Sequence, residues 1–181
     1  MDGAKIDHTK NIIDPTFKVI ERGESALRNR IKTITVPVLV VDKEETGLNF
    51  ASNGLFERIL FATDWSSSSD KALGYILGFK ELISELDIVN VIYEKLTVRA
   101  LRQLKEMLIK TRQRCQGHGI ETEYHLYAGE TAAEIILAAQ EYESTAIVMG
   151  AAQRQRFKDI FVGTPSCRVA EGAQVATLIV P

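Results

Sequence analysis

Residues 58–64 read RILFATD, and residues 65–83 continue as WSSSSDKALGYILGFKELI. The first stretch is a short apolar run that ends at Asp64, which is typical of a strand buried on both faces of a sheet. The serines that follow are candidate helix N-caps, with Asp70 in the first turn of the helix. Apolar residues then recur at helical spacing as far as Ile83. The stretch therefore predicts a buried strand followed by an amphipathic helix.

The same alternation continues to the end of the chain. We expect further strands at residues 88–93, 121–127, 146–149 and 175–180. Helices are expected between them: one stops near residues 117–119, one starts at Thr131 with capping-box spacing to Glu134, and a short one covers residues 165–170. Strictly alternating strands and helices predict a parallel sheet with helices on both faces. The fold class is therefore α/β, a five-stranded parallel sheet in a Rossmann-like three-layer sandwich.

In such sheets ligands bind outside the carboxyl ends of the strands. Asp64, Val91, Met149 and Gly150 are all predicted to lie at that edge. The Asp64 carboxylate can accept hydrogen bonds from ribose hydroxyls, or it can cap the helix that follows. A glycine at position 150 allows close backbone approach or a positive φ.

A second candidate element of this edge is the start of the last helix. Gly163 and Thr164 open that helix, so that its first N–H groups point at whatever occupies the preceding loop. That geometry favours an anion. The alternative is that Gly163 is a simple helix-start glycine, just as Val91 can be a plain core valine.

Composition excludes several classes of function. The 181-residue chain is 45% hydrophobic and 25% charged, with a formal net charge of −2, as in ordinary soluble globular proteins. This balance gives no reason to expect nucleic acid as a partner, and no apolar run is long enough for membrane insertion. Cys115 and Cys167 lie in different predicted helices and form no ligand pattern with the histidines, so no disulfide and no metal site is predicted. We expect a cytoplasmic protein with reduced thiols.

Recognised catalytic motifs are missing from the sequence. There is no P-loop, no dinucleotide glycine pattern after the first strand, and no Gly-x-Ser-x-Gly turn around the serines at residues 66–69. We interpret these serines as helix caps and predict no catalytic residue. An enzyme of a related α/β fold, or weak nucleotide hydrolysis, remains an alternative to a non-enzymatic function.

In this setting, residues 56–181 resemble the universal stress protein family. RILFATD followed by serines resembles the family's first strand and its acidic end, GETAAEI at residues 129–135 resembles the turn into its third helix, and AIVMG at residues 146–150 resembles its fourth strand. Nucleotide-binding members carry a glycine, two residues, a second glycine, nine residues, then glycine with serine or threonine. Gly150, Gln153, Gly163 and Thr164 stand at that spacing. The family fold is that of the adenine-nucleotide alpha-hydrolases, with its first strand central and its fifth at an edge.

The resemblance implies a binding site for adenine nucleotide, ATP or AMP, with no metal site of its own. Its residues are Asp64, Val91, Met149, Gly150, Gln153, Gly163 and Thr164, with Val91 contacting adenine through its backbone. Gln153 departs from the motif, because the second glycine lets the loop approach the phosphates, although Arg154 or Arg156 can supply charge there. Two functions stay open: a nucleotide-binding stress protein, or a nucleotide-free regulatory or dimerisation module acting on another protein such as a transporter.

The first part of the chain has a resemblance of its own. A helix at residues 25–31 followed by the strand VPVLVV at residues 36–41 resembles the final helix and fifth strand of a preceding copy of the domain. We therefore divide the chain into a tail of that copy (residues 1–45), a linker (46–55) and a complete domain (56–181). An exposed apolar edge strand invites pairing, and Pro37 suits an edge strand. We expect a homodimer through the last strand, Val175 to Val180, and the strand Val36 to Val41.

Overall fold

The computed structural model of the protein describes residues 17–23, 35–43, 54–151 and 163–181. The predicted helix at residues 25–31, most of the predicted linker, and Gln153 lie outside these residues. The strands are β1 (Lys18–Glu21), β2 (Val38–Val41), β3 (Arg58–Ala62), β4 (Glu85–Ile92), β5 (Glu121–Ala128), β6 (Ala146–Gly150) and β7 (Ala176–Val180). The helices are α1 (Ser67–Gly78), α2 (Val98–Gln116), α3 (Thr131–Glu141) and α4 (Pro165–Gly172), with a 3₁₀ turn at Lys80–Leu82.

The strands form one sheet in the order β1-β2-β7-β6-β3-β4-β5. The five strands from β7 to β5 are all parallel to their neighbours, with β3 in the centre and β7 at one end. The predicted five-stranded parallel α/β sheet is therefore confirmed. It is extended to seven strands because β2 pairs antiparallel with β7 and β1 pairs parallel with β2.

Helices cover both faces of this sheet. Along β3, Ile59 and Phe61 pack in a core with α1 and α2, whereas Leu60 and Ala62 pack in a core with α3 and α4. We call these the α1–α2 face and the α3–α4 face. A strand whose successive side chains enter two different cores has to be apolar throughout, which explains the unbroken run ILFA.

All four helices start at a side-chain cap, and α2 has Thr97, whose Oγ1 accepts the Ala100 N–H at 3.1 Å. Ser66 caps α1, its Oγ accepting the Ser69 N–H at 3.3 Å, as the serine run predicts. Thr164 caps α4 in the same way. The predicted cap of α3 at Thr131 is wrong: Glu130 is the cap, and its carboxylate accepts the N–H groups of Ala132 and Ala133. A carboxylate offers two oxygens to two helix N–H donors, whereas a threonine hydroxyl has only one oxygen.

The pair β1–β2 closes the edge at β7. Leu39 of β2 lies opposite Leu178 of β7, and every residue of β2 is buried. The predicted contact between Val36–Val41 and the last strand thus forms within one chain. The interpretation of β2 as an edge strand is wrong, because β1 covers its other side. Pro37 is tolerated because it lies just before the first residue of β2, where its carbonyl accepts the Lys18 N–H at 2.8 Å.

Arg22, just after β1, fixes this pair to the rest of the molecule. Its guanidinium donates to the carbonyls of Ala170 and Val175, both at 2.6 Å, and to the Asp42 carboxylate at 2.8 Å. These contacts join β1 to the end of α4 and to the residue before β7. The side chain is only 11% exposed, so the three hydrogen bonds are shielded from water.

Candidate functional site

The order of the strands places a crevice at the carboxyl ends of β3 and β6. From β3 the chain proceeds to β4 on one side, and after β5 it crosses to β6 on the other side of β3. The point where successive strands change from one side of β3 to the other is called the topological switch point, and ligands of open α/β sheets bind there. Ala62 of β3 lies opposite Val89 of β4 and Met149 of β6. The structure therefore brings Asp64, Val91, Met149 and Gly150 to the same edge of the sheet.

Asp64 is held by the start of α1. Its Oδ1 accepts hydrogen bonds from the Ser66 N–H at 2.9 Å and the Ser69 hydroxyl at 2.6 Å, while its Oδ2 bonds to no other described residue. Burial acts to raise the pKa of this carboxyl, but the hydrogen bonds from Ser66 and Ser69 outweigh burial, so the pKa lies below its ordinary value. Asp64 thus supports the helix start and still presents an ionised oxygen at the edge.

Trp65, the next residue in the chain, has a backbone conformation that tryptophan rarely adopts. Its φ of 56° is in the left-handed region, which costs a residue with a Cβ about 1–2 kcal/mol. Two hydrogen bonds hold it there. The Trp65 N–H donates to the Thr63 hydroxyl oxygen at 3.1 Å, and the indole N–H donates to Thr111 Oγ1 at 3.3 Å. The tryptophan side chain is directed to the α1–α2 face, away from the α3–α4 face.

Val91 and Met149 pack with the core of the α3–α4 face, so that face is the apolar wall of the crevice. Tyr127 lies opposite Val91 on β5 and is part of the same wall. Its hydroxyl donates to the Glu141 carboxylate and lies 3.2 Å from the Tyr142 hydroxyl. Burial, with the hydrogen bond to Glu141, raises the pKa of Tyr127. Sequence reasoning missed Tyr127, because only the register of β4 and β5 reveals it as the neighbour of Val91.

Gly150 is required by the close approach of α1. A Cβ on this residue would lie 2.5 Å from the Ser69 nitrogen and 2.7 Å from the Ser68 Oγ. The Ser68 hydroxyl also donates to the Ala151 carbonyl at 2.8 Å. Gly150 does not have a positive φ. Close backbone approach is therefore the reason that a glycine is needed at this position. The approaching group is the first turn of α1.

The start of α4 is the third component of the edge. Gly163 has φ 111°, a conformation that favours glycine. Thr164 Oγ1 accepts the Cys167 N–H at 3.4 Å. Beside it, the Arg168 guanidinium pairs with the Glu130 carboxylate at 2.6 Å, which ties the start of α3 to α4. The hydrogen bond from the Ala133 N–H, with other contacts including Arg168, lowers the pKa of Glu130. Gln153, the remaining predicted site residue, is outside the described residues.

Residues 17–23, 35–43, 54–151 and 163–181 contain neither a cluster of metal ligands nor a membrane-spanning helix. No group of three or more histidine, cysteine, aspartate and glutamate side chains among them is placed to hold a metal ion. None of their helices combines the length and apolarity needed to cross a membrane. Cys115 and Cys167 are both buried free thiols.

The fold and its edge define a Rossmann-like α/β protein of the three-layer class. The family model of the universal stress protein family matches residues 55–181, so the chain belongs to the universal stress protein family. No curated protein matches the chain.

Solved structures of the family show the same fold. A universal stress protein from Archaeoglobus fulgidus DSM 4304 is 22% identical with a TM-score of 0.66, and the match covers 91% of this chain and 60% of that one. The universal stress protein from Archaeoglobus fulgidus in complex with dAMP is 20% identical (TM-score 0.56), covering 70% of this chain and 99% of that one. A universal stress protein in complex with cAMP is 17% identical (TM-score 0.58), covering 70% and 98%.

Proposed function

We propose that the protein binds adenine nucleotide, AMP or ATP, at the crevice between β3 and β6 and acts in the stress response without catalysis. The observation that carries the proposal is the ionised Asp64 carboxylate at the switch point. One of its oxygens is fixed by Ser66 and Ser69, and the other is unoccupied by any described residue. Such a carboxylate is suited to accept hydrogen bonds from a ribose.

The chemistry of the residues at the carboxyl edge of the sheet suggests where each part of the nucleotide binds. Adenine lies against Val91 and Met149, which belong to the apolar α3–α4 face. The phosphates lie toward the first turn of α4, where helix N–H groups and the helix dipole favour negative charge. The solved relatives with cAMP and with dAMP support an adenine nucleotide as the ligand.

Gln153 decides how many phosphates the site holds. Where the loop backbone has positive φ, a residue with a Cβ costs about 1–2 kcal/mol relative to glycine, and its side chain occupies phosphate space. Arg154 or Arg156, if turned inward, offsets this with charge-assisted hydrogen bonds of about 1.5–3 kcal/mol. Because the resemblance assigns position 153 to the cradle of the terminal phosphates, we expect AMP to bind no more weakly than ATP.

Titration calorimetry with AMP, ADP and ATP tests the proposal. Asp64→Asn should weaken AMP at least about tenfold, as expected for loss of a hydrogen bond to a charged group. Glu106→Gln, on the exposed surface of α2, removes one negative charge elsewhere and should leave AMP binding unchanged. Gln153→Gly should improve ATP more than AMP. Strong preference of the unaltered protein for ATP contradicts the role given to Gln153.

The second candidate function is that of a nucleotide-free regulatory module acting on another protein, and Gln153 is the feature that favours it. If neither the unaltered protein nor Gln153→Gly binds any of the three nucleotides, this second function replaces the first. For either function we propose a cytoplasmic location, which the two free cysteines support.

We also propose that residues 1–45 are the tail of a preceding copy of the domain. In support, β2 has β1 as its parallel neighbour just as β7 has β6, so the two pairs have the same arrangement. The match to a relative of which this chain covers 60% supports a longer architecture. Since β2 already fills the edge of β7, the proposed homodimer requires exchange of β2 between two chains. Sedimentation at micromolar concentration tests it, and a clean monomer contradicts it.

A further inference from the structure

A second cavity lies on the opposite face of the sheet, at the same carboxyl edge. It has a volume of about 180 Å³ and lies between α1, α2 and the end of β3. It is open to solvent on one side, where Asp70, Lys110 and Arg114 are exposed. Polar groups supply most of its lining: Thr63, Asp70, Lys110, Thr111 and Arg114. The aromatic ring of Trp65 also lines it, with Phe61 and Leu73 as the apolar floor.

This cavity is separate from the crevice proposed for nucleotide. Phe61 belongs to the core of the α1–α2 face, whereas Ala62, its neighbour in β3, belongs to the core of the α3–α4 face. Val91 and Met149 are also on the latter side. Because successive residues of a strand point to opposite faces, the sheet itself stands between the two sites.

The charges at the cavity are unbalanced. Lys110 and Arg114 are four residues apart on α2, so their like charges are neighbours on one side of the helix. Neither side chain makes an ion pair or hydrogen bond with another residue of the described ranges. Arg112, between them, differs: it pairs with Glu123 at 3.6 Å and lies 5.2 Å from the Tyr124 ring centre. The helix therefore leaves two adjacent cations for the cavity.

The remaining lining groups restrict what can enter. Thr63 Oγ1 accepts the Trp65 N–H, and its own hydroxyl hydrogen has no acceptor among the described residues, so it can donate to a ligand. Thr111 is already committed, since it accepts from the indole and donates to the Met107 carbonyl at 2.9 Å. Asp70, on α1, offers an acceptor on the other wall. The cavity thus combines two cations, one hydroxyl donor and one carboxylate.

We propose that this cavity binds a small organic oxyanion, a carboxylate or phosphate ester that also carries a hydroxyl or amino group. The oxyanion lies between Lys110 and Arg114, its carbon skeleton lies against Trp65, and its hydroxyl or amino group donates to Asp70. The volume of 180 Å³ is smaller than the ~300–1,000 Å³ of sites for drug-sized ligands. A small metabolite therefore suits the cavity, and a whole nucleotide does not.

The chain provides its own reporter, since Trp65 is its single tryptophan. We would titrate inorganic phosphate, glycerol 3-phosphate and glycerate at constant ionic strength, and follow Trp65 fluorescence and the single indole N–H signal in NMR. We expect saturable changes, with glycerol 3-phosphate binding more tightly than inorganic phosphate. Lys110→Ala with Arg114→Ala should raise Kd at least about tenfold, as expected when hydrogen bonds to charged groups are lost.

A matched control removes the same charge from the same helix outside the cavity. The pair Arg102→Ala and Lys105→Ala, both exposed on α2, should change Kd by less than about twofold through screened long-range charge alone. Asp70→Asn should tighten inorganic phosphate, because it removes a negative charge from the wall, and should weaken glycerol 3-phosphate relative to phosphate. Circular dichroism checks that each variant is folded.

Three results overturn the proposal. These are the absence of a saturable change with any of the three probes, an unchanged Kd in the Lys110/Arg114 variant, and equal weakening in the Arg102/Lys105 control. Saturation that survives in the Lys110/Arg114 variant places the anion elsewhere, for example at the start of α4.

Discussion

The five parallel strands β3 to β7 and the pair β1–β2 are built alike but supported differently. The larger unit has helices on both faces and two apolar cores. The pair consists of two four-residue strands, and in β1 both Lys18 and Val19 are exposed. Yet all of β2 is buried, with Leu39 in one core and Val40 in the other. The difference shows that β2 belongs to the packed cores of the large unit, whereas β1 is a partly exposed edge strand of the sheet.

The strongest test of this comparison is truncation of one side chain in each strand. Leu39 is 0% exposed, whereas Val19 is 38% exposed. Leu39→Ala should lower the free energy of unfolding by about 2–5 kcal/mol, since a buried cavity remains. Val19→Ala should cost less than about 1 kcal/mol because the site is partly solvated. Denaturant unfolding measures both. If both variants lose the same small amount of unfolding free energy, the pair β1–β2 contributes nothing to the core.

The next test concerns the link between β1 and the large unit. Arg22→Met keeps the apolar stem but removes the donors to the Ala170 and Val175 carbonyls. We expect a loss of about 2–3 kcal/mol in the free energy of unfolding, because two shielded carbonyls lose a charged partner. Arg168→Met is the control, since its pair with Glu130 is about half exposed and such pairs contribute about 0–1 kcal/mol. Similar losses for the two variants contradict a special role for Arg22.

A smaller effect is expected for the cap of α3 inside the large unit. Glu130→Ala removes an acceptor for two helix N–H groups and should cost about 1 kcal/mol, as for other N-caps. Glu130→Ser retains a capping oxygen but cannot reach Arg168, so it separates the cap from the ion pair. Thermal or chemical unfolding should find the serine variant close to the unaltered protein. If serine is as damaging as alanine, the ion pair is the more important contact.

The two cysteines provide the finest comparison, because they report on opposite faces. Burial raises the pKa of Cys115 to about 11, so at pH 8 only about one thiol in a thousand is ionised and reactive. Cys167 is also buried, in the helix that Arg22 holds through Ala170. A thiol reagent at pH 8 should label neither in the native protein. In Arg22→Met, Cys167 should react before Cys115, as followed by peptide mass spectrometry, and the reverse order contradicts the proposed link.

Much of the fold is predictable because the apolar pattern is strong where strands enter two cores. Residues 59–62 and 146–149 are such cases, and their strands appear as expected. The start of β4 is not predictable in this way. It begins at Glu85, before the expected residue 88, because its first side chains pair across strands: Glu85 with Arg58 at 3.3 Å and Asp87 with His125 at 2.7 Å. These partners are far away in the sequence.

The candidate site is predictable to the level of the sheet edge. Alternating strands and helices predict a parallel sheet, and ligands bind at the carboxyl edge of such a sheet. Asp64 and Gly150 could therefore be predicted from the sequence as residues of that edge. The left-handed φ of Trp65 has no sequence signal, because a tryptophan rarely adopts it. Nor could the cavity at Lys110 and Arg114 be foreseen, since it depends on how α2 lies beside α1. Contacts between elements, unlike the elements themselves, leave no periodicity to detect.

The antiparallel join of β2 and β7 has a consequence in terms of symmetry. Val38 pairs with Ile179, Leu39 with Leu178 and Val40 with Thr177, so a local twofold axis perpendicular to the sheet passes between the two leucines. The axis exchanges β1 with β6, and it brings the carboxyl end of β1 to the opposite rim from Gly150. There Arg22 stands at the position equivalent to Ala151 and fills the rim with its guanidinium. Any ligand edge related by this axis to the crevice at Asp64 would therefore open in the opposite direction, on the far rim of the continuous sheet.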